Sequence, residues 1–304
     1  MARSHPPSLI TIVRRTLLEE CGPLRSRSVL AAVSGGGDSQ AMLEVLARLA
    51  PKLGYELRAH GIDHGLRSEA RRELELAEAL ARRLGVPFGR TRLALARGAN
   101  LQARAREARY AALREAAAPD DALIATAHHA DDRAETLLLR LLRGSGPRGL
   151  AVLPARAQGG RAGPGPRGKN ETEVRPEHET DVIRPLLRAT KQDVIAHLGR
   201  HRLDFAQDPS NSDAAFLRVR VRHELLPLLT DLSPQIVRHL NALADALEGT
   251  ELPNLGELEL EEEAPALNRA QIREVLRARR LGRSVTVRLP GGRDLQSKRP
   301  RKSQ

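Results

Sequence analysis

The sequence is poor in cysteine, in aromatic residues and in long apolar runs. Of its 304 residues one is cysteine, none is tryptophan, and aromatic residues make up 2%. A single cysteine, Cys21, excludes an internal disulfide framework and a zinc site built from several thiolates. The scarcity of aromatic side chains argues against a base-stacking platform for single-stranded nucleic acid.

Segments that would direct the chain to or across a membrane are also missing from the sequence. No apolar run is long enough to span a bilayer. The first residues, MARSHPPSLITIVRR, lack the uninterrupted apolar stretch and cleavage site of a signal peptide. We therefore expect a cytoplasmic protein without a membrane partner.

The charge of the chain is strongly positive, with a formal net charge of +12. Such a balance favours a polyanionic partner, for example a nucleic acid. Lysine is scarce, however, and nearly all the positive charge comes from arginine. A general compositional preference for arginine explains part of the basicity equally well, so charge alone leaves the partner open.

The whole chain is long enough for one large domain or two ordinary ones. Strand and helix patterns alternate through its first half. Such alternation predicts an α/β fold, a parallel sheet with helices on both faces. The predicted strands cover residues 29–33, 55–63, 87–95 and 123–127, and helical patterns follow each of them.

The pattern changes after the fourth strand. Residues 155–181 are rich in Gly, Pro, Arg and Glu without periodicity, and we predict a mobile loop there. Helical patterns resume at 190–202 and from 214 into the 240s. We therefore predict a catalytic domain over residues 1–205 and a smaller, helical and basic region over residues 206–304.

A glycine-rich turn, SGGGDS at residues 34–39, joins the first strand to the first helix after it. Glycine tolerates a positive φ and has no Cβ to keep a ligand from the backbone. The N–H groups of such a turn, with the helix N-terminus behind them, form an anion site. Neither GxxxxGK[ST] nor GxGxxG is present, but Asp38 could hold Mg²⁺ that binds phosphates. The plain alternative is a tight turn with a capping residue.

A second polar group follows the fourth strand, where ligands of open α/β sheets bind. It contains two histidines and three carboxylates: His128, His129, Asp131, Asp132 and Glu135. Zinc is one possible ligand, but HExxH is absent, and carboxylates beside a phosphate site favour the hard cation Mg²⁺. An acid-rich helix N-terminus without a ligand is the plain alternative.

The hexapeptide SGGGDS resembles SGGxDS of the PP-loop ATP pyrophosphatases, which adenylate a substrate and release pyrophosphate. Further stretches, in the same order, resemble the tRNA(Ile)-lysidine synthetase family. They are HGIDHGLR (60–67), ARAREARY (103–110), TAHHADDRAET (126–136) with RGSG (143–146), RPLL (184–187), and DPSN (208–211) followed by Arg218 and Arg222.

This resemblance implies a ligase that uses ATP and Mg²⁺. It would join L-lysine to C2 of the wobble cytidine of tRNA(Ile) with a CAU anticodon, through an adenylated cytidine, changing codon reading from AUG to AUA. The residues that it implies for binding ATP are Ser34, Gly35, Gly36, Gly37, Asp38, Ser39, Asp63 and His64. Asp38 would also be the metal ligand. The residues that it implies for catalysis are Asp38, His129, Asp132, Arg104 and Arg218.

Several readings stay open beside this one. Arg104 also fits a solvated helix face, and Asp63 with His64 fits a strand-end cap. A PP-loop tRNA thiolase would need cysteine chemistry, against which a single Cys21 argues, and an inactive tRNA-binding relative would keep the fold alone. Two departures from the family pattern are Val219 in place of Asn and Arg133 in place of Gln. We expect Arg133 to add charge beside the catalytic crevice.

Overall fold

The computed structural model describes residues 7–63, 69–94, 101–157, 180–206, 217–248, 286–288 and 294–296. The chain forms two compact units, residues 1–250 and residues 251–304. In the second unit, strand Thr286–Arg288 pairs antiparallel with strand Asp294–Gln296. The functional boundary predicted at residue 205 stays a prediction.

The first unit alternates strands and helices through its first half, as the sequence predicts. Its strands are β1 (Ser28–Val33), β2 (Glu56–Asp63), β3 (Phe88–Arg92), β4 (Leu123–Ala125), β5 (Arg156–Ala157) and β6 (Val182–Ile183). Its helices up to the sheet's last strand are α1 (Leu9–Glu19), α2 (Gly37–Leu53), α3 (Glu69–Arg83), α4 (Leu101–Ala117), α5 (Ala130–Leu142) and α6 (Pro147–Leu150). The later helices are α7 (Lys191–His201), α8 (Leu217–Arg220), α9 (Leu226–Leu232) and α10 (Ile236–Glu248), with a π-helical turn (Val221–Leu225) between α8 and α9.

The strands form one sheet in the order β3-β2-β1-β4-β6-β5. All neighbouring pairs are parallel except β5 with β6. The order runs outward from β1 in both directions, so β1 and β4 meet at the point where the sheet reverses its winding. The carboxyl ends of these two strands flank the crevice in which an open α/β sheet binds its ligands.

Alternating side chains of β1 pack on opposite faces of the sheet. Val29, Ala31 and Val33 belong to the core beneath α1, α2 and α7, while Leu30 belongs to the core beneath α4. Because both faces are covered, the strand is a nearly continuous apolar run rather than an alternating one. The predicted α/β fold with helices on both faces is confirmed.

A third apolar core joins α5 and α6 to the helices after residue 217. Leu137 and Leu138 of α5 pack with Val221, Leu240 and Ala244. The later helices are therefore anchored directly on the helix that follows β4.

The first residues of the stretch predicted as a mobile loop belong to the sheet. Arg156 and Ala157 form β5 and pair with β6, and the guanidinium of Arg156 also donates to the Asp181 carboxylate at 2.7 Å. The prediction of a loop was therefore wrong at this edge, and residues 158–179 lie outside the described residues. Among the described helices, none combines the length and the hydropathy needed to cross a membrane.

Candidate active site

The turn between β1 and α2 requires glycine at Gly35. Its φ is +80°, and a Cβ built there would lie 2.0 Å from the carbonyl oxygen of Glu73 in α3. The Gly35 carbonyl in turn accepts a hydrogen bond of 3.0 Å from the Ala206 N–H. The turn is therefore pressed between two neighbouring segments, and any side chain at Gly35 would displace α3.

Two serines fix the shape of the same turn. The Ser34 N–H donates to Ser39 Oγ at 3.2 Å, and Ser39 Oγ donates to the Gly36 carbonyl at 2.9 Å. Gly36 is the N-cap of α2 and has no side chain with which to cap the helix. The first N–H groups of α2 and its positive dipole end are therefore available to an anion, and the phosphate-binding role of SGGGDS stays a prediction.

Asp38, in the first turn of α2, contacts two groups from later in the chain. Its Oδ1 accepts from Lys191 Nζ, the first residue of α7, at 2.6 Å. Its Oδ2 lies 3.8 Å from His129 Nε2. The carboxylate beside the anion site is thus paired with Lys191 and lies close to His129, and its role as a metal ligand stays a prediction.

His129 caps the N-terminus of α5 and stands among three carboxylates. Its backbone N–H donates to Asp132 Oδ2 at 3.1 Å, and Asp131 Oδ2 lies 3.5 Å from its ring Nδ1. The Asp132 N–H also faces this Nδ1, at 3.4 Å. Nδ1 accepts from that N–H in the neutral ring and donates to Asp131 in the protonated ring; the three carboxylates favour the protonated ring.

The pKa values of this group follow from the same contacts. Burial opposes the charge of His129, but the hydrogen bond to Asp131 and the charges of Asp132 and Asp38 outweigh it and raise its pKa. Burial likewise opposes the charges of Asp131 and Asp132, yet the histidine beside them lowers the pKa of both. The raised pKa means that His129 keeps its proton to a higher pH than a free histidine does.

The adjacent histidine behaves in the opposite way. Burial first, and then the positive charges of Arg184, Arg106 and Arg109, lower the pKa of His128 to about 3, although Asp132 opposes them. Its Nδ1 is 3.0 Å from Thr126 Oγ1. His128 is neutral near pH 7 and too weakly basic to take a proton efficiently.

Two arginines from the helix after residue 217 complete the cluster. Arg222 donates to Glu135 at 2.6 Å and to Asp132 at 3.1 Å. Arg218 lies 3.5 Å from Glu135 and 3.9 Å from Asp132. Burial opposes the charge of Arg222, but the hydrogen bond to Glu135 and the two carboxylate charges outweigh it and raise its pKa.

The structure thus brings most of the predicted residues together at the ends of β1 and β4. They are Ser34, Gly35, Gly36, Gly37, Asp38, Ser39, His129, Asp132 and Arg218. Arg104 lies in the first turn of α4, and its role stays a prediction.

Asp63 ends β2, at a separate part of the carboxyl edge. Its carboxylate lies 3.9 Å from Arg92 Nε, and it lines a cavity of about 290 Å³ together with Arg71 and Arg90. His64 lies outside the described residues, so the predicted pair is tested only by the position of Asp63.

The expectation for Arg133 was wrong. Its side chain is 1% exposed and turns away from the crevice, donating to the Val152 carbonyl at 2.8 Å and pairing with Asp245 and Glu248 of α10. Along α5, Arg133 precedes the buried Leu137 by one turn and so shares its face. That spacing was a usable signal, and it indicates a residue that anchors α10 rather than one that alters the crevice.

Sequence reasoning missed Lys191 and undervalued Arg222. Lys191 is 153 positions from Asp38, so no local pattern links them. The available signal was its rarity, because it is a lysine at a helix start in a chain whose cations are nearly all arginine.

Comparison with known proteins agrees with this geometry. The profile of the PP-loop domain matches residues 9–229. The chain belongs to the PP-loop domain family. As a PP-loop protein it is similar to the U34-tRNA thiolase of Methanococcus maripaludis, with a TM-score of 0.63 and 16% identity over 80% of this chain and 78% of that one. At this identity the likeness shows the fold alone.

Curated relatives are more similar in sequence. The chain is 38% identical over 245 residues to the tRNA(Ile)-lysidine synthase of Symbiobacterium thermophilum, covering 78% of this chain and 46% of that protein. It is 36% identical over 237 residues to the tRNA(Ile)-lysidine synthase of Pseudomonas aeruginosa, covering 77% and 49% respectively. The chain therefore spans about half the length of the curated relatives it matches.

Proposed function

We propose that this PP-loop protein is a cytoplasmic ligase that joins L-lysine to C2 of the wobble cytidine of tRNA(Ile) with a CAU anticodon. ATP would be cleaved to AMP and pyrophosphate, and the product would be lysidine. Codon reading would change from AUG to AUA. The observation that carries the proposal is the meeting of the glycine turn, Asp38 and His129 at the ends of β1 and β4, in a chain similar to tRNA(Ile)-lysidine synthases.

The first half of the proposed reaction activates the cytidine. The C2 carbonyl oxygen attacks the α-phosphate of ATP and pyrophosphate leaves, so that a very poor leaving group becomes an adenylate. The turn at residues 34–39 would hold the phosphates on backbone N–H groups. Arg218 and Arg222, held by Asp132 and Glu135, lie where they could counter phosphate charge.

The second half transfers lysine. The ε-amine attacks C2, loses a proton, and AMP leaves. Of the two histidines at the site, His129 is the stronger base, because, despite its burial, its carboxylate neighbours raise its pKa, whereas burial lowers the pKa of His128 to about 3. The neutral ring of His129 would accept the proton. The backbone N–H of Asp132, which donates to Nδ1 of the neutral His129 ring, would keep that ring in place.

Asp38 fits the predicted role of a metal ligand. Its carboxylate is one-third exposed beside the turn, and it accepts a hydrogen bond from the ammonium of Lys191, which a metal ion would displace. Carboxylate oxygens are also the donors that Mg²⁺ prefers. When bound, Mg²⁺ would neutralise phosphate charge during adenylation. Lys191 would then be free to contact a phosphate itself.

The thiolase alternative is disfavoured by the state of Cys21. The side chain is fully buried in the core, 3.7 Å from the Ala155 carbonyl oxygen. Burial raises the pKa of its thiol to about 12. A thiol that stays protonated and inaccessible at neutral pH can neither attack nor hold a cluster.

The proposal is tested by incubating the protein with ATP, Mg²⁺, radiolabelled lysine and tRNA(Ile) bearing CAU. We expect label in the tRNA, one AMP per lysine incorporated, and no label with an elongator methionine tRNA that also bears CAU. Parallel reactions with a labelled sulfur donor examine the thiolase alternative. No lysine incorporation by a folded protein that binds the tRNA would refute the proposed ligase and favour the inactive relative.

A further inference from the structure

A second cluster of potential ligands lies between α2 and α7, away from the carboxylates of the crevice. It consists of Glu44, His197 and His201, which we call the Glu44 cluster. One donor atom from each of the three lies within 4.8 Å of the others. Glu44 is 2% exposed and His197 is 4% exposed, while His201 is 21% exposed and opens the cluster to solvent.

The two histidines share one face of α7. They are four residues apart, the spacing at which two histidines of a helix can bind one metal ion. Their ring centroids are 4.3 Å apart. His197 Nε2 lies 2.8 Å from Glu44 Oε2, and His201 Nδ1 lies 3.8 Å from Glu44 Oε1. All three side chains therefore point at one volume.

Arg48 shows how the open side of this volume is used. Its guanidinium donates to Glu44 and also lies 3.2 Å from His201 Nδ1. Because a guanidinium can only donate, Nδ1 accepts, and its lone pair points into the cluster. The Arg48 guanidinium thus lies where it would compete with a metal ion for Glu44 and His201. Arg48 is half exposed, so it can move into solvent without disturbing the core.

We propose that the Glu44 cluster is a binding site for a divalent transition-metal ion of the Zn²⁺ class. Two imidazoles and one carboxylate suit borderline ions better than Mg²⁺, and they leave a position for water. Donors at about 2.1 Å from one tetrahedral Zn²⁺ lie about 3.4 Å apart, so the most widely separated donors of the cluster, within 4.8 Å of each other, must close by up to about 1.4 Å. The ion takes the Nε2 lone pair of His197, whose ring proton moves to Nδ1 or leaves.

The position of the cluster gives such an ion a structural consequence. Glu44 lies six residues after Asp38 in α2, and His197 lies six residues after Lys191 in α7, which is about 9 Å along each helix. The ion would clamp the same helix pair that carries the Asp38–Lys191 contact. The inference concerns metal binding and does not depend on the proposed ligase activity.

The test is a titration of chelator-treated full-length protein with Co²⁺ in excess Mg²⁺, which occupies the oxygen-rich crevice. We expect one Co²⁺ per chain, with the visible spectrum of a low-coordinate nitrogen and oxygen site, and displacement by Zn²⁺. In His201→Ala the affinity should fall by more than about 100-fold, since loss of an outer-shell partner alone costs about 10- to 100-fold. Circular dichroism confirms that each variant is folded.

Two further variants sharpen the test. Arg48→Ala should bind Co²⁺ more tightly than the unmodified protein, because the competing positive charge is gone. His239→Ala, which removes an exposed histidine of α10, should bind as the unmodified protein does. The proposal is overturned if the unmodified protein and His201→Ala titrate alike, or if Arg48→Ala binds no more tightly.

Discussion

Replacing Asp38 by Asn probes the charge at the mouth of the glycine turn. Asn keeps the shape of the side chain and can still accept a hydrogen bond from Lys191, but it carries no charge. The side chains of this pair are 33% and 44% exposed. Such exposed pairs contribute about 0–1 kcal/mol, so we expect the unfolding free energy to change by no more than that.

The effect on adenylation should be much larger. A unit charge about 4 Å from a cation contributes roughly 4 kcal/mol at an effective dielectric constant of about 20. Each 1.4 kcal/mol or so is worth about a factor of ten in rate. If that contribution is made in the transition state, Asp38→Asn should slow pyrophosphate release by roughly a thousandfold.

The assay is tRNA-dependent pyrophosphate release at saturating ATP, with thermal unfolding measured alongside. Asp231→Asn makes the same chemical change at an exposed position of α9 and serves as the control. A rate within a few fold of the unmodified protein would refute the role assigned to Asp38. A large loss of stability would show that the pair is structural instead.

Four other perturbations have distinct expected outcomes. Gly35→Ala should destabilise the fold and abolish ATP binding, whereas Gly85→Ala, also at positive φ but with no atom within 4 Å of the added Cβ, should cost only about 1–2 kcal/mol in denaturant unfolding. Cys21→Ser should keep nearly full lysine incorporation but lose roughly 1–3 kcal/mol of stability, because it buries a hydroxyl in an apolar core; loss of activity in the folded variant would revive the thiolase reading. His129→Asn keeps a residue that can cap the helix. The raised pKa of His129 adds stability that is present below about pH 6.5 and is lost as pH rises through the folded pKa, so the variant should lose that pH dependence in unfolding titrations. Deleting the chain after Leu267, which removes a strongly basic segment, should weaken tRNA binding and flatten its salt dependence, and an unchanged slope would show that the segment does not contact the RNA.

The parts of the fold that the sequence predicted are those set by neighbouring residues. The apolar run of β1, the glycines after it and the helix formers beyond them are local signals, and the structure has strand, turn and helix in those places. The meeting of SGGGDS with the segment after β4 was also predictable. It follows from the rule that ligands of a parallel sheet bind at the carboxyl ends of adjacent strands.

The parts that could not be predicted depend on packing between distant segments. The contact of Lys191 with Asp38 arises because α7 lies beside α2, and nothing near either residue indicates it. Strands β5 and β6 have two residues each, too few for a periodic signal. The prediction that Arg133 adds charge beside the crevice was wrong for another reason. The prediction placed Arg133 in the crevice because the adjacent Asp132 was expected there. One step along a helix turns the side chain by about 100°, which points Arg133 to a different face.

The most direct test of the proposed function is the identity of the wobble nucleoside after reaction. tRNA(Ile) bearing CAU is incubated with the protein, ATP, Mg²⁺ and lysine, then digested to nucleosides and analysed by mass spectrometry. The account predicts that cytidine is replaced there by a nucleoside heavier by one lysine minus one water, and that Asp38→Asn leaves the cytidine intact. Unmodified or sulfur-containing cytidine after reaction with the folded, ATP-bound protein would contradict it.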